Sequence, residues 1–90
     1  MEKQRFSMYV KTEVWPQLLS RLHLSFSRKQ MNIIKVESET IEDEASHRFE
    51  FLSQIDESKL KLIARQVYRT VGILNVELYL NDEQLNFKKL

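Results

Sequence analysis

The sequence has no cysteine and only one glycine and one proline among its 90 residues. Ordinary proteins use about 7% Gly and 5% Pro. Without cysteine there are no disulfides, thiolate metal sites or cysteine nucleophiles. With Gly72 as the sole glycine, neither a phosphate-cradling P-loop nor a dinucleotide fingerprint can be assembled. Charge of one sign is also missing, since 14 Lys and Arg face 13 Asp and Glu and leave a formal net charge of +1. Such a balance argues against a strongly cationic nucleic-acid binder. No apolar run approaches the roughly 18 residues of a membrane span, and the opening residues do not resemble a secretory signal. The expected compartment is the cytoplasm, with no membrane partner.

What is present is the composition of one globular domain, 42% hydrophobic and 30% charged. Ninety residues hold a single core and no second one. The pattern of those residues gives the elements. Phe6, Met8 and Val10 alternate with Ser7, Tyr9 and Lys11, which predicts a half-buried strand over residues 5–12. Trp15, Leu18, Leu19, Leu22 and Phe26 then recur at spacings of three and four, one face of a helix from about Pro16 to Lys29. Proline is tolerated in a first helical turn because its missing N–H has no partner there.

A second strand is predicted over about Asn32 to Ser38, with Ile34 and Val36 inward and Ile33, Lys35 and Glu37 outward. Glu37, Glu39, Glu42, Asp43 and Glu44 follow closely, and such a run of like charge reads as a solvated loop. The third strand, about His47 to Gln54, turns Phe49 and Phe51 inward. Asp56 is suited to cap a helix whose buried stripe is Leu60, Ile63, Ala64, Val67 and Val71, with Gly72 closing it. A fourth strand over about Ile73 to Leu80 places Leu74, Val76, Leu78 and Leu80 inward. The domain is thus read as residues 1–80, and residues 81–90 as a polar C-terminal tail.

The order β-α-β-β-α-β repeats a β-α-β half. It defines an α+β, ferredoxin-like sandwich: a four-stranded antiparallel sheet with two helices on one face. The other face, carrying Ser7, Tyr9, Lys11, Ile33, Lys35, Arg48, Glu50, Leu52, Asn75, Glu77 and Tyr79, is free for solvent or a partner. RNA-recognition domains stack bases on such a face. Here strand three offers Arg48 and Glu50 in place of aromatics, so no nucleic-acid partner is expected. His23 and His47 have no second ligand at helical or hairpin spacing, and the acidic run lacks the central glycine of a calcium loop. Neither a catalytic constellation nor a metal or cofactor site is predicted. Leu24 and Leu62 point away from their helices' buried stripes, beside Lys61, Arg65 and Arg69, and form a candidate docking patch.

Two segments carry a family resemblance. Pro16-Gln17-Leu18-Leu19-Ser20-Arg21-Leu22, followed by Phe26-Ser27-Arg28-Lys29-Gln30-Met31-Asn32-Ile33, resembles the Leu-Ser-Arg-Val and Phe-Ser to Asn-Ile stretch of ACT domains. Arg65-Gln66-Val67-Tyr68-Arg69-Thr70-Val71-Gly72-Ile73-Leu74-Asn75-Val76 is similar to the family's second conserved stretch. The chain looks like the ACT-domain small regulatory subunit of acetolactate synthase, of the short isozyme II type. The resemblance implies a subunit without an active site. Its partners would be the thiamine-diphosphate-dependent catalytic subunit, which it activates, and a second copy of itself. It would act in branched-chain amino-acid biosynthesis. An amino-acid ligand would sit between paired domains, held by the loop before helix 1 of one and the start of strand two of the other.

Carried over by position, the ligand-binding candidates are Asn32, Gln17 and Leu18. Asn32 matches the family's ligand-contacting Asn. Gln17 stands where the family has a loop Gly, Val14 where it has an Asn, and Gln30 where it has a second Gly. A side chain at position 17 would crowd a ligand approaching the backbone, so activation with little or no valine feedback is expected. The rival reading is a stand-alone amino-acid sensor controlling another protein.

Overall fold

The computed structural model describes residues 3–15, 17–29 and 31–89. Seven elements follow in order: β1 (Gln4–Glu13), α1 (Leu18–Arg28), β2 (Ile33–Ile41), β3 (Glu44–Ser53), α2 (Glu57–Tyr68), β4 (Ile73–Leu80) and β5 (Glu83–Leu85). The strands form one antiparallel sheet in the order β2-β3-β1-β4-β5. The β1-α1-β2 and β3-α2-β4 halves interleave, so each half receives a strand of the other between its own two. This is the α+β, ferredoxin-like βαββαβ arrangement of an ACT-type fold, with one strand added.

Alternation in the strands and a three-to-four spacing in the helices send the same residue types to one layer. Phe6, Met8 and Val10 of β1, Phe49 and Phe51 of β3, and Val76 and Leu78 of β4 are buried there. They pack with Leu22 and Phe26 of α1 and with Leu60, Ile63, Ala64 and Val67 of α2. Aromatic rings form its centre. Phe6 stacks on Phe51 at 4.9 Å, while Phe26 meets Phe49 and Phe51 edge-on at 4.9 and 5.1 Å. These offset and edge-to-face geometries suit the ring quadrupoles. Asp56 caps α2 as predicted, its carboxylate accepting from the Lys59 amide and the Ser58 hydroxyl at 2.8 Å each. Those two hydrogen bonds hold its pKa below the ordinary value. The expected helix-opening Pro16, and Gln30, lie outside the described residues.

Five expectations are corrected. First, the acidic run is not a loop: β2 continues to Ile41, and only Glu42 and Asp43 turn the hairpin, Glu42 at φ 58°. The carboxylates of Glu37 and Glu39 alternate with Val36, Ser38 and Thr40, so they leave the strand on one side and do not oppose extended pairing. Second, a register shift between Ile33 and Lys35 exchanges two isoleucines, so that Ile33 packs on the core and Ile34 is 40% exposed. Third, a similar shift at Lys11 and Thr12 brings Ile73 onto the core and leaves Leu74 exposed. Bulges reverse the side a residue faces, and periodicity alone does not reveal them.

Fourth, α2 ends at Tyr68, which leaves Val71 exposed and puts Gly72, at φ 94°, in the turn entering β4. There the Gly72 carbonyl accepts from the Glu13 amide at 2.8 Å. Fifth, the sheet has five strands. The sequence predicts a polar tail over residues 81–90, yet Asn81 and Asp82, both with positive φ, make a two-residue hairpin turn into β5. Beyond it Leu85 and Phe87 pack on the core. Lys89 donates to Asn75 Oδ1 at 2.8 Å and lies over the Tyr68 ring.

Candidate functional site

The three ligand candidates fall at the two ends of α1. Gln17 is its N-cap residue and its side chain makes no capping bond, while its carbonyl accepts from the Arg21 amide at 3.0 Å. Leu18 is buried, and its amide donates to the Trp15 carbonyl at 3.2 Å. Trp15, Gln17, Leu18 and Arg21 bound a cavity of about 330 Å³. Asn32 borders a different cavity, about 370 Å³, with His23, Ser27, Met31 and Ile33. Its backbone is fixed on both sides, the amide donating to Ser53 Oγ at 2.7 Å and the carbonyl accepting from the Leu52 amide at 3.0 Å. Between the two cavities run the 11 residues of α1, a length of about 16 Å. One chain does not bring Asn32 to Gln17 and Leu18.

The sheet's uncovered face holds a cavity of about 420 Å³. Strand register arranges its side chains in rows. Glu37, Arg48, Tyr9 and Glu77 lie side by side across β2, β3, β1 and β4, and the next row is Glu39, Ser46, Lys11 and Asn75. Arg48 donates to Glu50 at 2.9 Å and Glu37 at 3.4 Å, with its guanidinium 5.5 Å from the Tyr9 ring centre. Lys11 pairs with Glu44 at 3.0 Å, and Lys35 with Glu37 at 3.2 Å. Tyr9 meets Tyr79 edge-on at 5.2 Å. Desolvation and the neighbouring Glu77 carboxylate hold the Tyr79 phenol above its ordinary pKa, so it stays neutral. The sequence indicated most of the residues that share this face, but it also placed Ile33 there, which the bulge in β2 turns to the core, and it missed Glu39 and Ser46, which lie outside the strands it predicted.

Sequence reasoning missed one polar row on the helix side. His47 is buried between two hydroxyls, with Ser38 Oγ 2.7 Å from Nδ1 and Thr12 Oγ1 3.4 Å from Nε2. Burial lowers its pKa. The hydroxyls come from β2 and β1, distant in sequence, and only the strand register joins them. On the outer side of the helices Leu24 and Leu62 are each about half exposed, as their wheel positions predicted. Val14, Trp15 and Val71 add an exposed apolar patch where the β1–α1 and α2–β4 connections meet. No group of three metal-ligating side chains occurs among the described residues. No described helix is long and apolar enough to cross a membrane.

The sequence matches no protein-family model and no curated protein. Solved structures define the class by fold. The C-terminal domain of the MgtC protein from Mycobacterium tuberculosis is similar at 14% identity and a TM-score of 0.72, over 92% of this chain and 93% of that one. The ACT domain from GTP pyrophosphokinase of Chlorobium tepidum is similar in two structures. Its crystal structure matches at 12% identity and a TM-score of 0.72, covering 84% of this chain and 97% of that one. Its solution structure gives 13% and 0.72 over 87% and 88%. The chain shares the ACT fold.

Proposed function

We propose that this chain is a non-catalytic regulatory subunit that binds and activates the thiamine-diphosphate-dependent catalytic subunit of acetolactate synthase, in branched-chain amino-acid biosynthesis. One observation carries the reading. The two segments that resemble the small subunit fall on α1 into β2 and on α2 into β4 of an ACT-type fold.

The free edge supports pairing of two copies. On the other side β4 is partly covered by β5, whereas β2 is an edge of nine residues. An exposed edge of that length invites a partner strand. Antiparallel pairing centred on Val36 sets Lys35 of each copy opposite Glu37 of the other. It also carries Asn32 to the end of the sheet where α1 of the second copy begins. Such a dimer would unite the Gln17 and Asn32 cavities that one chain keeps apart. At that junction Gln17 in place of glycine and the apolar Val14 disfavour a bound amino acid, so feedback by valine is weak or absent.

Mixing the chain with an acetolactate synthase catalytic subunit tests this. Co-elution and raised turnover are expected; separate elution with unchanged turnover would sink the assignment. The alternative is a stand-alone ACT-type amino-acid sensor, favoured by the fold likeness to a domain of a different protein, GTP pyrophosphokinase. A thermal-shift screen across the amino acids separates the two. A sensor gains stability as its ligand concentration passes the Kd, and a valine-insensitive activator does not.

A further inference from the structure

We propose that the groove on the uncovered sheet face binds a linear aliphatic polyamine, laid across the strands with one ammonium group at Glu39 and another at Glu77. This site is separate from the α1 ends and does not depend on the assigned partner.

The charges of the groove are unequally satisfied. Its two cations already have carboxylates of their own: Lys11 is drawn to Glu44 at the hairpin end, and Arg48 to Glu50 and Glu37. Of the carboxylates lining the groove, Glu37 takes both Lys35 and Arg48. Glu39 and Glu77 have no Lys or Arg within ion-pair distance among the described residues, and Glu77 accepts only from the Tyr79 hydroxyl at 3.4 Å. An anion entering the groove must displace existing pairs. A cation meets two open carboxylates.

Their placement sets the shape of the ligand. Glu39 is on β2 and Glu77 on β4, with β3 and β1 between them and the two positions one row apart along the strands, which sets their backbones about 16 Å apart, a span the two glutamate side chains shorten from either end. A single ammonium does not reach both walls, and a short diamine falls well short. A triamine with three- and four-carbon spacers is of the right length. The floor between the walls is Ser46 and the half-exposed Tyr9 ring, braced by Tyr79, and it is flanked by Lys11 and Arg48, whose charges are already held by Glu44, Glu50 and Glu37. Aromatic surface accepts both methylene groups and, through its quadrupole, ammonium charge. The cavity, about 420 Å³, is large enough for such a chain.

Isothermal titration of the intact chain at low ionic strength, with spermidine as probe and putrescine as the short control, tests the proposal. Saturable one-to-one binding of spermidine is expected, with putrescine about tenfold weaker for want of the second charged contact. Glu39→Gln and Glu77→Gln are each expected to lower spermidine affinity by a similar factor, their circular dichroism unchanged because both side chains lie on the open face. Absence of saturable binding overturns the proposal. So does equal affinity for the two amines, or affinity unchanged in both variants, since either result means unspecific attraction to surface charge.

Discussion

Trp15 lies so close over Gly72 that a Cβ added to the glycine would stand 3.2 Å from Trp15 Cζ3 and 3.1 Å from Leu18 Cδ2. Backbone conformation therefore favours glycine at position 72, where φ is 94°, and the Trp15 and Leu18 side chains would have to shift by a few tenths of an ångström to admit a Cβ. Gly72→Ala is expected to lose roughly 1–3 kcal/mol, the cost of forcing a side chain into this region of φ, with further loss as Trp15 is displaced. Urea denaturation measures it. The same displacement would deform the cavity at the start of α1, since Trp15 and Leu18 are two of its four walls.

His47 predicts how stability responds to pH. Its folded pKa is depressed by burial, below an unfolded value of about 6.5. An unfolded chain therefore binds the proton more readily than the folded one. Stability is fully present above about pH 6.5 and is lost as pH falls from there toward the folded pKa. Denaturation midpoints across that window should decline in the wild type more steeply than in His47→Gln. The glutamine keeps polar contact with Ser38 and Thr12 but does not titrate. Parallel curves for the two proteins would show that His47 contributes no such dependence.

These two residues show what the sequence did and did not disclose. Glycine's scarcity singled out Gly72, and its positive φ could be expected, but the residue packed over it is Trp15, on the far side of a long loop closure. The amphipathic stripes of α1 and α2 and the alternation in β1 and β3 were legible because each depends on local spacing. Bulges at Lys35 and Lys11 were not, since a shift in pairing is decided by the neighbouring strand. For the same reason the open face could be listed only in part, without Glu39 and Ser46, and its unequal pairing of charge not at all, since that depends on how β2, β3, β1 and β4 are aligned. The resemblance places Asn32 and Gln17 at one ligand only across two paired domains, and the length of α1 keeps them apart within one chain.

The C-terminal segment is expected to stabilise the β4 side of the sheet. Leu85 and Phe87 pack on the core, and Lys89 bridges Asn75 and the Tyr68 ring. Partial burial of the two apolar side chains contributes less than the roughly 1.5–3 kcal/mol of a fully buried one. Leu85→Ala with Phe87→Ala should accordingly destabilise the protein by about 1–3 kcal/mol. Hydrogen exchange should quicken first at residues 78–80, where β5 pairs. Protection unchanged at these amides would mean that β4 holds without its neighbour.

Leu24 and Leu62 are half exposed on the outer side of the helices, and neither belongs to the core. Replacing such residues normally changes stability by no more than about 0.5 kcal/mol, whereas a leucine at the centre of an interface loses its burial when removed. Leu24→Ser with Leu62→Ser is therefore expected to leave the melting transition in place and, if the proposed catalytic partner docks there, to weaken its affinity by about tenfold or more, the equivalent of about 1.4 kcal/mol. Biosensor titration of the double variant reads this directly. Unchanged affinity would move the docking surface to the patch of Val14, Trp15 and Val71. That patch lies where two connections meet, beside the start of α1, so a partner seated there would also cover the Gln17 cavity. Trp15→Ala then discriminates the two surfaces: its binding should match that of wild type if the helices dock, and fall if the loop end does.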